Sequence, residues 1–144
     1  MLGGGAGADI FVFTPVSHSR PGAADRIVAS DGIAAMEGVG KAGGDLIDLS
    51  AIDANTAVAG DQAFVFGTYK SFLTTAGRLW VEDSGTNTVV RGTVDTKAGV
   101  DFEIIIDDGA LRSSAYRRST SFSDESHAWT PTVPPTEPVG ARLD

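Results

Sequence analysis

Asp9 stands behind a run of glycines and ahead of an apolar stretch, in the segment Leu2-Gly3-Gly4-Gly5-Ala6-Gly7-Ala8-Asp9-Ile10-Phe11-Val12-Phe13. Glycine reaches positive φ without steric cost, so a chain of this kind turns tightly and can bring main-chain carbonyls and a carboxylate to one point. Hard oxygen donors gathered in this way suit Ca²⁺. A flexible glycine linker is the plain alternative, but a linker has no use for an aspartate followed at once by Ile-Phe-Val-Phe. The pattern returns at Gly43-Gly44-Asp45-Leu46-Ile47-Asp48-Leu49. For each of these aspartates there is a competing role, since most turn aspartates bond their own backbone. Asp45 and Asp48 read equally as a solvated strand edge.

Other chemistries are poorly supplied. The two histidines, His18 and His127, fall in a loop and near the chain end, and neither has a partner at the H-E-x-x-H spacing that binds zinc. No G-x-S-x-G elbow occurs, and the chain has no cysteine, which removes thiolate chemistry and disulfides together. Catalysis by this chain alone is not expected. Trp80, Tyr69 and Trp129 are candidate stacking residues for an extracellular glycan or cell-surface recognition module, the alternative function class, although Trp80 lies in a strand pattern and reads as sheet packing. An accessory domain needed for the activity of a secreted metalloprotease or lipase is a third reading.

The elements that would hold Asp9 in place follow from periodicity. The 144 residues suffice for one domain with a core. Residues 1–110 hold 15 Asp/Glu against 7 Lys/Arg, whereas 111–144 hold 4 of each, so the net charge of −8 belongs to the first part. Such a surface repels nucleic acid and anionic lipid and attracts cations. No apolar run approaches the length of a membrane span, and the first residues do not resemble a cleavable leader.

Ile10 to Phe13 is a strand with Phe11 and Phe13 directed into the core. Residues 14–24 read as a loop, Asp25 to Val28 as a brief strand, and Asp31 to Gly44 as an exposed, mobile insertion in which only Ile33 to Glu37 could make a helical turn. Ser50-Ala51-Ile52-Asp53 is a capping-box pattern opening a short helical turn. Strands follow at Ala63–Phe66, Arg78–Glu82, Thr88–Thr93 and Asp101–Ile106, the second and third joined as a hairpin, while Phe72 and Leu73 fall in a connecting piece. Beyond Asp108-Gly109 the composition turns to Ser, Thr and Pro without a period, and residues 111–144 are expected to be a disordered tail.

Taken in order, Leu2 to Phe13, Asp45 to Asn55, Gly60-Asp61-Gln62-Ala63-Phe64, Ala76-Gly77, Asn87-Thr88-Val89-Val90 and Asp101-Phe102-Glu103-Ile104 resemble the C-terminal domain of serralysin-like RTX proteins, the hemolysin-type calcium-binding group secreted by the type I pathway. From Gly4 the first block also reads G-G-x-G-x-D-x-U-x, a calcium-binding nonapeptide repeat. The likeness spans residues 2–110. It implies an all-β fold: parallel β-roll (RTX) turns that hold Ca²⁺, followed by further β-strands in a sandwich-like cap. It also implies a non-catalytic, secreted, extracellular module that helps an upstream passenger domain fold after export through the type I (ABC) secretion machinery. The implied metal ligands are Asp9 with carbonyls of Gly4, Ala6 and Gly7, and the aspartates Asp25 and Asp45. The family's Asp-Phe shortly after the Asp25 position is Ala29-Ser30 here, so a site there is rebuilt with Asp31 or weakened. Lys97 stands where relatives carry a ligand before Asp101, which removes calcium binding from that loop. The chain also continues past the last strand into the Ser/Thr/Pro-rich segment, where relatives place the secretion signal. With one complete nonapeptide, Asp9 forms half a site whose other half is expected upstream, and the exposed first roll turn offers an edge to a second copy.

Overall fold

The computed structural model describes residues 1–67, 74–109 and 111–116, together with the backbone of 122–123. These residues form β1 (Ile10–Val12), β2 (Asp25–Ile27), β3 (Leu46–Asp48), β4 (Val65–Gly67), β5 (Arg78–Ser84), β6 (Asn87–Thr93), β7 (Phe102–Ile106) and β8 (Phe122–Ser123), with single 3₁₀ turns at Val16–His18 and Ser113–Ala115. The class is all-β, as its short apolar runs and turn residues require. Among the described residues no helix is long and apolar enough to cross a membrane.

Two sheets divide the strands. One has three strands in the order β1-β3-β8, all parallel; the other has five in the order β2-β7-β6-β5-β4 and is mixed. In the mixed sheet β2 runs parallel to β7 and β4 parallel to β5, while β5-β6 and β6-β7 are antiparallel. The front of the chain passes back and forth between them. Leu2 bridges Ile27 in parallel, with Leu2 N–H donating to Arg26 O at 2.7 Å and Val28 N–H donating to Leu2 O at 2.8 Å. The chain then crosses through residues 3–9 to β1, returns to β2, and crosses again through residues 28–45 to β3, where Ile10 lies opposite Leu46. The two crossings therefore join the same pair of sheets in the same direction, and they run side by side.

The core lies between the sheets. Phe11, Phe13, Ile47 and Leu49 come from the three-stranded side; Ile27, Leu79, Val90, Phe102, Ile104 and Ile106 come from the five-stranded side, and all ten are buried. Each such side chain contributes roughly 1.5–3 kcal/mol of burial free energy. Period two explains the choice: Phe102, Ile104 and Ile106 face inward along β7, whereas Ile10 and Val12 flank the buried Phe11 and face solvent. Phe64 packs edge-on against Phe102, with ring centroids 5.4 Å apart. Glycine at position 92 is required by that ring, because a Cβ there would overlap the Phe102 edge. The hairpin closes with Gly85-Thr86, Gly85 at φ 65° taking the left-handed position such a two-residue turn needs.

Three expectations are revised by the structure. Residues 50–53 form turns instead of a helix, because their carboxylates serve the local backbone: Asp48 Oδ1 accepts from Ser50 N–H at 2.9 Å, and Asp53 Oδ1 from Asn55 N–H at 2.9 Å and Gln62 N–H at 3.2 Å. The 31–44 segment contains no helical turn and is anchored, with Ala35 and Met36 buried in the core. The later strands do not stand apart as a cap; β7 pairs directly with β2 and continues its sheet. Past residue 110, Tyr116 is buried and the backbone of β8 pairs with β3. The proline-rich end, 131–138, lies outside the described residues, as do Phe72 and Leu73.

Candidate metal centre

The two crossings meet through their acidic residues. Asp45, at the start of β3, is 1% exposed. Its Oδ1 accepts from Asp9 N–H at 2.9 Å and its Oδ2 from Glu37 N–H at 2.7 Å. The link is reciprocal, for Asp45 N–H donates to Glu37 O at 2.8 Å and Leu46 N–H to Asp9 O at 2.9 Å. A buried carboxylate with an amide on each oxygen is well satisfied. Asp45 therefore fastens the second crossing to the first.

Asp9 is placed differently. Its Oδ2 is buried and has no hydrogen-bond partner. The backbone at Gly4 lies against this carboxylate, so closely that a Cβ on Gly4 would sit 2.6 Å from Asp9 Oδ2. The glycine is a steric requirement of the carboxylate's position. Gly5 and Gly7 bend the segment at φ 87° and 114°. Gly7 N–H donates to Glu37 Oε1 at 3.1 Å, and Ala6 is exposed. Beside Gly5 stands Asp31, at φ 54° the sole non-glycine residue at positive φ among those described, with its Oδ2 3.8 Å from where a Gly5 Cβ would lie.

The sequence-derived set thus divides. Gly4, Ala6, Gly7, Asp9 and Asp45 come together along the two crossings. Asp25 does not join them: it opens β2 in the other sheet, opposite Ile104, and its N–H donates to Ser19 Oγ at 2.8 Å. Within the chain, residues 3–9 are held by the 28–45 crossing, through Asp45 on Asp9 N–H and Glu37 on Gly7 N–H. Glu37 was missed, because it belongs to an insertion without local pattern and meets Gly7 thirty residues away.

The two crossings leave one buried carboxylate oxygen, Asp9 Oδ2, without a partner and with the Gly4 backbone pressed against it; oxygen donors are what Ca²⁺ takes. Among the described residues no three His, Asp or Glu side chains converge on one point, so main-chain oxygens have to supply most ligands of any ion held here. A groove of about 360 Å³ is lined by Asp9, Ile10, Leu46, Lys41 and residues 42–44. In the 94–101 loop, by contrast, carboxylates are taken by backbone amides: Asp101 Oδ2 accepts from Val94 N–H at 2.7 Å, and Asp95 Oδ1 from Lys97 N–H at 2.8 Å.

Trp80, the described member of the three stacking candidates, is 2% exposed, and its Nε1–H donates to Glu82 Oε2 at 2.8 Å. Its ring is not available to a sugar; Tyr69 and Trp129 lie outside the described residues, as does His127. The chain matches no family model and no curated protein.

Proposed function

We propose that this chain is a non-catalytic, calcium-dependent folding module of an exported protein, its first 48 residues being turns of a parallel β-roll and Asp9 the main carboxylate ligand. The observation that carries the reading is the buried, unpartnered Oδ2 of Asp9 held against Gly4 beside a second acidic crossing. The alternation of Leu2, β1, β2 and β3 between two sheets, each in parallel register with the strand two before it, supports the roll.

Calcium, when bound, supplies positive charge that neutralises the carboxylates and a set of bonds that ties the two crossings together. The residues do the rest. With little calcium inside a cell, Asp9, Glu37 and Asp45 repel one another and the glycine-rich crossings, whose chain entropy is large, stay open. The chain is then a suitable substrate for type I secretion, which passes unfolded polypeptide. Outside the cell, binding free energy becomes folding free energy, and the ordered front gives a passenger domain a template to fold against. Each of these steps belongs to a secreted, extracellular role. Among the described residues β1 is an edge strand, with Ile10 60% and Val12 57% exposed, and a second copy or a further roll turn can pair there.

Circular dichroism and thermal melting in calcium and in chelator test the reading. The expected outcome is a gain of β signal and a higher melting temperature with calcium; identical spectra and identical melts overturn it.

A further inference from the structure

We propose that the outer face of the three-stranded sheet docks a second copy of this chain, face to face, with the strands of the two copies antiparallel. The face follows from strand register. Phe11 and Ile47 turn into the core, so Ile10 and Val12 of β1 and Leu46 of β3 point the other way, with Ile10 beside Leu46 and Val12 beside Asp48. This sheet is parallel throughout, and sheets of that kind are normally covered on both faces. Here the core covers one face, while the other shows Ile10 and Val12 to solvent. Apolar side chains grouped in this way mark an interaction surface.

Charge at the two ends of this face selects the occupant. At the N-terminal end of the strands, Lys41 lines the groove with Ile10 and Leu46. At the C-terminal end lies the half-buried Asp48, one oxygen accepting from Ser50 N–H. Neither side chain is in an ion pair among the described residues. Positive, apolar and negative in that order along the strands make a pattern that complements itself when turned end for end. A two-fold axis lying between two such faces, perpendicular to the strands, sets Lys41 of each copy near Asp48 of the other and stacks Ile10, Val12 and Leu46 between them. An axis along the strands would oppose Lys41 to Lys41 and Asp48 to Asp48, so charge selects the antiparallel arrangement. The patch is small, and the dimer is therefore a weak one that forms and parts with concentration. It leaves the β1 edge free and needs only that the front of the chain be folded.

The test is sedimentation equilibrium of the full chain in calcium-containing buffer, over a concentration series reaching the millimolar range. The parent is expected to pass from monomer to dimer. Lys41→Glu and Asp48→Lys each oppose like charges at both ends of the face, and each is expected to weaken self-association about tenfold or more. Mixed in equal amounts, the two variants complement one another and are expected to form a heterodimer. Ile10→Thr combined with Val12→Thr is expected to weaken association as well, with little change in thermal melting because both side chains are exposed. The Lys41 side chain is exposed too, so Lys41→Glu decides the matter even if Asp48→Lys fails to match the parent's circular dichroism spectrum. A parent that stays monomeric throughout the series overturns the proposal. Self-association that Lys41→Glu retains in full, as pairing through the β1 edge would give, overturns it equally.

Discussion

Asp45 and Asp9 are the same residue type at equivalent positions before β3 and β1, yet the structure gives them opposite tasks. Asp45 is satisfied by two amides and fixes the fold, whereas Asp9 keeps an oxygen with no partner. Replacing Asp45 with alanine strands two buried N–H groups, each costing about 1–3 kcal/mol. The expected loss is about 3 kcal/mol in denaturant unfolding in calcium, where the two crossings are closed, and little in chelator. Gly4→Ala separates the two tasks from the other side. Its methyl group must push the Asp9 carboxylate away, so calcium uptake is expected to fall while unfolding in chelator changes by less than about 1 kcal/mol; equal calcium binding by Gly4→Ala would remove the steric link between them. Glycine-aspartate spacing made Asp9 visible in the sequence, whereas the use of each aspartate oxygen depends on residues thirty or more positions away and was not legible there.

At the level of strands and turns, the local signals carried far. The alternation of Phe11 and Phe13 with Ile10 and Val12 places two aromatic rings in the core, and Gly85 marks the hairpin turn. Patterns that depend on a choice between backbone partners were less legible. Ser50 to Asp53 has the letters of a helix start, but Asp53 binds Gln62 N–H across the loop instead. The 31–44 insertion has the composition of a mobile loop, and its anchoring rests on Ala35 and Met36 reaching a core assembled from distant strands. Gly92 gives an element-level test: Gly92→Ala is expected to cost about 1–3 kcal/mol by overpacking against Phe102, with part of the loss restored when Phe102 is shortened to leucine in the same chain.

Tyr116 ties the segment after β7 to the sheet. Burial raises its phenol above the ordinary value, and its hydrogen bond to Asp108 Oδ2 at 2.8 Å, together with the Asp108 charge, raises it further. A folded value above the unfolded value of 10.0 means that the native state holds its proton more tightly. Stability from this group is therefore fully present below about pH 10 and is lost progressively as the pH climbs from there towards the folded value. Tyr116→Phe is expected to lower stability by about 1–2 kcal/mol at neutral pH and to flatten the decline above pH 10, as measured by denaturant midpoints across that range. An equally steep decline in the variant would place its cause elsewhere.

Across the whole molecule, charge and core are unevenly shared. The five-stranded sheet closes over Ile104, Ile106, Val90 and Phe102, with antiparallel pairing among β5, β6 and β7. The front is thinner, built from strands of three residues joined by glycine-rich crossings that bring Asp9, Glu37 and Asp45 together. Calcium dependence should follow that division. Amide hydrogen exchange followed residue by residue, in calcium and in chelator, measures it most directly. The expected result is a large gain of protection with calcium confined to residues 2–60, centred on the 3–9 and 28–45 crossings, with β5, β6 and β7 unchanged. Protection of the front that is the same in both conditions would contradict the claim that an ion holds it together.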